Sequence, residues 1–262
     1  MSILTELGTA LTSGTVEIID LTAPLTPTTP VLRLPEPFAN TITFRLEEIS
    51  RYDERGPRWY WNDIHTGEHT GTHLDAPVHW VSGKDGHDVS QVPLRTLVAP
   101  AVVLDASARA AEDPDHLLTI DDVRAWEAEH GPLPDGGWLL YRTGWDGHAH
   151  DQDEFLNADE SGSHTPGIAA DCARWLADES PIAGLGVETV GTDAGQAPTM
   201  EPAFPCHELL LGAGKYGLTQ LRNLAALPPT GILLVVCPLP IVGGSGSPAR
   251  ALALVERTPG SR

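Results

Sequence analysis

His69-Thr-Gly-Thr-His73-Leu-Asp75-Ala-Pro-Val-His79 is the stretch on which the reading of this chain turns. It places three imidazoles and one carboxylate within eleven residues. Gly71 permits a tight backbone between the first two histidines, and Pro77 fixes the chain just past the aspartate. Two histidines and one aspartate are the ligand set of a mononuclear catalytic metal site that keeps positions open for water and substrate. His73 and Asp75, two residues apart, share one face of an extended segment. A turn at Gly71 brings His69 to the same point. Glu68 and Asp63 are the nearby acids for the outer imidazole nitrogens. The bland alternative is a solvated loop in a chain with 11 histidines, but the Gly-Thr and Asp-Ala-Pro setting favours a metal.

Outward from this motif, short apolar runs alternate with helical patterns. Strands are expected at 16–21, 41–49, 101–105, 138–141, 184–187 and 232–236. Thr119-Ile-Asp-Asp122 is a capping signature for a helix that Gly131-Pro132 ends. Further helices are expected at 168–176 and at 218–227, the latter stopped by Pro228-Pro229. Strands and helices interleave, so the chain reads as a single α/β domain over 15–257 with loose tails at 1–14 and 258–262. With Pro 23 and Gly 26, loops are expected to carry the site.

Composition narrows the function. The 262 residues hold 16 Lys and Arg against 36 Asp and Glu, a net charge of −20. That balance argues against nucleic acid and against an anionic membrane surface. Cys172, Cys206 and Cys237 form neither a disulfide framework nor a thiolate zinc site, which points to a reducing, cytoplasmic setting. No signal peptide is evident, and the longest apolar run, broken by Pro238 and Pro240, is too short to span a bilayer.

At His69 to His79 the sequence resembles the metal-dependent cyclase family that includes bacterial kynurenine formamidase and isatin hydrolase, whose signature is H-x-G-T-H-x-D-x-P-x-H. The resemblance extends over Asp20-Leu21-Thr-Ala-Pro-Leu25, Gly191-Thr-Asp193, the segment from Phe204 through His207 to Lys215, and Gly243-Gly-Ser-Gly-Ser-Pro-Ala-Arg250. It implies a swivelling β/β/α fold with a mixed sheet or barrel core flanked by helices. It also implies a homodimer or homotetramer and a small-molecule substrate. Carried over by position, His69, His73 and Asp75 hold the metal, His79 is the general acid/base and His207 is a further metal-site residue.

Two departures from the family shape the expected chemistry. Formamidases carry a metal-bridging glutamate twelve residues after the second-segment histidine, where this chain has Thr219 and then Gln220. Two divalent cations with Asp75 as the only carboxylate would leave a site charge of about +3. One ion, Zn²⁺ or Mn²⁺, is therefore expected, with Gln220 as a neutral oxygen ligand. Glu188 and Asp193 are the acids that could rescue a second. Formamidases also carry a substrate-contacting Trp after Pro-Val, where this chain has Leu32. Trp61 and Trp80, with Trp59 and Tyr60, are candidates for a different pocket wall, or else for core or dimer packing.

The expected reaction is metal-assisted hydrolysis of a small amide, cyclic imide or lactone, with ring opening. The same parts could close a carbon ring by aldol chemistry, as in polyketide cyclisation. A non-catalytic binding protein on the same scaffold is the rival that the loss at Thr219 supports. Weaker signals are His164, as a substrate contact, and Lys215, as a steering charge. Gly212-Ala-Gly-Lys-Tyr-Gly217 is expected to be a helix cap and turn rather than a dinucleotide site. Gly243–Ser247 is expected to be a plain turn rather than an anion nest. His148 and His150 are expected to lie in a solvated loop. The absence of a G-x-S-x-G elbow argues against a serine hydrolase.

Overall fold

A computed structural model describes residues 2–257. In chain order it forms helix α1 (Ile3–Ser13), strand β1 (Val16–Asp20) and a hairpin of β2 (Arg45–Arg51) and β3 (Tyr60–His65). The short β4 (His73–Asp75), β5 (Val98–Asp105), helix α2 (Ile120–His130), β6 (Trp138–Arg142) and helix α3 (Ala170–Asp178) follow. Strands β7 (Gly184–Val187), β8 (Tyr216–Thr219), β9 (Ile232–Pro238) and β10 (Gly246–Glu256) complete the domain. The expected loose start is instead α1, capped by the Ser2 hydroxyl and ended by Gly14 in the left-handed region, although none of its residues is buried. The expected tail at 258–262 lies outside the described residues.

Seven strands close into a mixed barrel in the order β10-β9-β5-β6-β7-β8-β4, with β4 pairing back onto β10. Strands β5, β6, β7 and β8 run parallel, and β9, β10 and β4 pair antiparallel to their neighbours. Strand β1 lies along the far end of β10. Closure leaves the barrel strands no open edge, which removes a template for unwanted pairing.

The period of two along each strand splits the core into two layers. Trp138 and Leu140 of β6 join Leu74, Leu218, Leu234 and Ala251 inside the barrel. Leu139 and Tyr141 point the other way, against Val123 and Trp126 of α2 and Cys172 and Leu176 of α3. Thr119 caps α2 as its sequence predicts, its hydroxyl accepting from the Asp122 N–H while the Asp122 carboxylate accepts from Thr119 N. The indole nitrogens of Trp138 and Trp126 donate to the carbonyls of Thr96 and Val103, so neither large ring strands a polar group in the core.

The expected helix at 218–227 does not form. Leu218 belongs to β8, Gln220 and Asn223 take left-handed φ of 54° and 60°, and only a single turn at Leu224–Ala226 is helical. Burial of Leu218, Leu221 and Leu224 against the barrel interior overrides the helical spacing. No helix among the described residues is long and apolar enough to cross a membrane.

Candidate metal centre

The site lies on the outer face of the barrel at β4. Leu74 points into the barrel, so its neighbours His73 and Asp75 must point outward. Both are nonetheless almost fully buried, at 3% and 2% exposure. Asp75 stands opposite Gly217 of β8 on one side and Gly246 of β10 on the other. A Cβ at Gly217 would come within 2.9 Å of Asp75 Oδ2, and one at Gly246 within 2.6 Å of His69 Cε1. These two bare positions make room for the carboxylate and for the first histidine. Gly71, at φ +63°, supplies the turn that carries His69 back over the strand.

The ligand-type atoms converge. His69 Nδ1 is 2.7 Å and His73 Nε2 3.3 Å from the same oxygen, Asp75 Oδ1. His73 Nδ1 donates to the Gly71 carbonyl at 2.7 Å, which leaves the Nε2 lone pair aimed at that carboxylate. The His79 ring stacks on His69 with centroids 3.9 Å apart. His207 meets His79 edge-on at 5.4 Å, and its Nδ1 is held by Asp193 at 2.5 Å. A cavity of about 210 Å³ opens over these groups, walled on its far side by Leu32, Leu34 and Val190.

Burial sets the electrostatics. For Asp75, burial alone would raise the carboxyl, but with protons on the facing nitrogens the charge of His73 and the hydrogen bond of His69 outweigh it and hold it well below the usual carboxylate range, the place a cation takes when those nitrogens are bare. Burial pushes the His79 imidazole down to about 3; Asp75 opposes the shift, while His69, His207 and His73 add to it. For His207, burial works against the charged form, but the hydrogen bond and charge of Asp193 prevail and raise it. The site thus sets an uncharged imidazole beside one that takes a proton readily.

The donor set fits a divalent cation. Ligand atoms of His69, Asp75 and His79 lie within 4.8 Å of one another, near the spacing imposed by bonds of about 2.0–2.2 Å. His73 Nε2 lies 3.3 Å from the Asp75 oxygen that His69 also meets, so a fourth ligand-type atom joins the group. An imidazole lone pair facing a buried carboxylate oxygen at 3.3 Å is repulsive unless a positive charge lies beside both.

Several expected residues fall elsewhere. Gln220 turns away from the cavity, its side-chain nitrogen 3.5 Å from the Pro30 carbonyl, so it is not in place as a ligand. Thr219, not Gln220, faces the site, its hydroxyl 3.0 Å from the His73 ring. Glu188 accepts from the Thr143 and Gly144 N–H groups, and Asp193 is engaged with Cys206 and His207, so neither acid reaches Asp75. Trp61 is 55% exposed on β3, outside the cavity lining. Trp80 packs on His207 at 4.9 Å and donates to Glu208, one layer behind the cavity wall. His164 sits at the surface between Asp115 and Asp159, drawn there by two carboxylates rather than by the site. Lys215 donates to the Leu176 and Ser180 carbonyls at the end of α3, outside the cavity lining.

Sequence reasoning missed the Leu34 wall and the role of Ser245. Ser245 Oγ lies 2.8 Å from His69 Nε2 and 2.6 Å from Glu68 Oε2, so Glu68 reaches His69 only through this hydroxyl. Asp63 lies exposed on β3 instead. The Gly-Gly-Ser-Gly-Ser run was the visible signal of a close approach.

Fold and site together define a single-domain α/β barrel with a buried His/His/Asp cluster. The Cyclase family matches residues 19–194. The isatin hydrolase of Roseibium aggregatum is 49% identical over 259 residues, covering 98% of each chain. The crystal structure of an isatin hydrolase bound to the product analogue thioisatinate superposes with a TM-score of 0.95 at 48% identity, covering 98% of this chain and all of that one. The kynurenine formamidase of Salinibacter ruber is 32% identical over 70% of this chain and 74% of its own length. The chain belongs to the Cyclase family.

Proposed function

We propose that this chain hydrolyses the C–N bond of a small cyclic amide, opening the ring, at one divalent cation held by His69, His73 and Asp75. The observation that carries this reading is the convergence of two imidazole nitrogens on one buried oxygen of Asp75. The isatin hydrolase relatives support a ring amide as the substrate class. A divalent cation in such a site lowers the pKa of a water to about 7 and polarises a carbonyl oxygen.

The other work falls to the chain's own groups. His79, kept neutral by burial, has a free nitrogen to accept the proton of the attacking water and pass it to the departing nitrogen. His207, oriented by Asp193, presents its remaining nitrogen to the cavity as a donor for the carboxylate that ring opening creates. Leu32, Leu34 and Val190 give a planar ring an apolar wall. One ion is the expected content, because Thr219 brings no charge and Glu188 and Asp193 are engaged elsewhere. Zn²⁺ and Mn²⁺ both suit the donor set.

The exposed Leu46, Trp59, Trp61 and Ile64 on an isolated two-stranded hairpin favour a homodimer or homotetramer that covers them. Free Cys172, Cys206 and Cys237 suit a reducing compartment such as the cytoplasm.

The test is metal analysis of protein purified without added metal or chelator, followed by turnover of isatin in isotopically labelled water. The expected result is about one ion per chain and one solvent oxygen per product. Ring consumption without solvent oxygen would indicate aldol closure instead. A chain that neither regains an ion nor turns over would be a binding protein.

A further inference from the structure

We propose that Ser245 and Glu68 are positioning residues that decide which nitrogen of His69 carries the proton, so that the other is free for the metal. The proposal rests on the metal reading above and concerns the C-terminal glycine-rich turn, to which that reading gives no task.

The bonding leaves Ser245 one role. Its hydroxyl has a single proton, and Glu68 Oε2, a carboxylate oxygen that can only accept, lies 2.6 Å away. The Ser245 N–H points to the same oxygen at 3.1 Å. With its proton given to Glu68, the hydroxyl can only accept from His69 Nε2 at 2.8 Å. His69 is thereby fixed with a proton on Nε2, which leaves Nδ1, 2.7 Å from Asp75 Oδ1, as the nitrogen a cation can take. Two electron-rich atoms at that distance call for a cation beside them, and Glu68 behind the serine makes the imidazole a stronger donor to it.

The turn is built to deliver this hydroxyl. The Ser245 carbonyl accepts from Ala76 N at 3.0 Å, the Gly244 carbonyl from Val89 N at 2.9 Å, and Gly243 N donates to Asp88 at 2.8 Å. A Cβ at Gly244 would stand 3.1 Å from Glu68 Oε1, and one at Gly246 would strike His69 Cε1 at 2.6 Å. Serine is thus flanked by two glycines because any side chain there would push the turn off Glu68 or His69. The two motif histidines solve one problem differently: His73 spends its outer nitrogen on the Gly71 carbonyl of its own loop, whereas His69 depends on side chains 176 residues apart from it and beside it.

The test compares Ser245→Ala, Glu68→Ala and Glu68→Gln with the wild-type chain. Zn²⁺ affinity by chelator competition should fall about 10–100-fold in Ser245→Ala and Glu68→Ala. It should fall less in Glu68→Gln, whose amide oxygen still accepts the hydroxyl proton. Nitrogen-15 spectra of the Zn²⁺-loaded chains should show His69 protonated at Nε2 and bound through Nδ1 in the wild type, and a weakened or mixed binding nitrogen in Ser245→Ala. Melting of the metal-free proteins should be unchanged, separating positioning from support of the fold. Wild-type affinity in Ser245→Ala with Nε2 still protonated would overturn the proposal, as would a fall in metal-free stability that matches the loss of affinity. A wild-type chain that takes up no Zn²⁺ would sink the metal reading and the proposal with it, whereas a loaded wild type whose affinity and imidazole spectrum survive Ser245→Ala would sink the proposal alone.

Discussion

His79, proposed as the general acid/base although its ligand atoms lie close to those of His69 and Asp75, is the residue whose replacement tests that assignment. Its ring stacks on His69, and burial holds its pKa down to about 3. His79→Ala should lower kcat by about 10²–10⁴-fold, the usual worth of a general acid–base group, and leave the metal content unchanged. Loss of the ion along with activity would instead make His79 a ligand. Glu188 gives a prediction of another kind. Burial, and then the nearby Asp146, push its carboxyl from the ordinary 4.5 up to about 7. The folded chain therefore binds a proton that the unfolded chain has already lost between these values. The stability held below the lower value declines as pH rises towards the upper one, by about 1.4 kcal/mol per pH unit. Glu188→Gln should abolish that slope, so that the variant unfolds at higher denaturant than wild type at pH 8 and at nearly the same denaturant at pH 5.

Single elements show how bare backbone frames the site. Gly246→Ala would place a methyl 2.6 Å from both His69 Cε1 and the Leu74 carbonyl, and Gly217→Ala one at 2.9 Å from Asp75 Oδ2. Each should cost about 1–3 kcal/mol by overpacking and weaken Zn²⁺ binding as well. Gly147→Ala, with open space around it, is the control that should change neither in a melting experiment. The elements also explain what the sequence could tell. His69, His73 and Asp75 were legible because their spacing alone puts them on one strand and one turn. Ser245 was not, because its approach to His69 depends on the pairing of β10 with β4 across the closed barrel. Residues 218–227 misled because leucines spaced for a helix also serve a strand followed by a turn, and only tertiary burial chooses between them. Trp61 and His164 misled because sequence proximity to the motif, or to a Pro-Gly turn, does not fix which side chains face a cavity.

For the whole molecule, the hairpin of β2 and β3 is the surface on which the proposed dimer or tetramer rests. Its strands form a sheet of their own, with Leu46 and Ile64 directly opposite each other and 51% and 67% exposed. Leu46→Glu combined with Ile64→Glu should shift the mass measured by light scattering to that of one chain. A wild-type mass of one chain would remove the proposed oligomer, and a larger mass unchanged by the substitutions would place the contact elsewhere. The polypeptide from Leu32 to Thr41, which runs into this hairpin, also lines the cavity, so the separated chain should show a raised KM for a ring substrate.

Closure of the barrel has a consequence for the order of assembly. The histidines and aspartate occupy a short early stretch, yet the strand that carries two of them is three residues long and is held between β8 and β10. During synthesis those side chains leave the ribosome long before residues 216–219 and 246–256, and contacts so distant in sequence form late. The proposed metal centre therefore needs both neighbours of β4 in place, and a nascent chain halted before the final strand should emerge with its histidines exposed and its centre unmade.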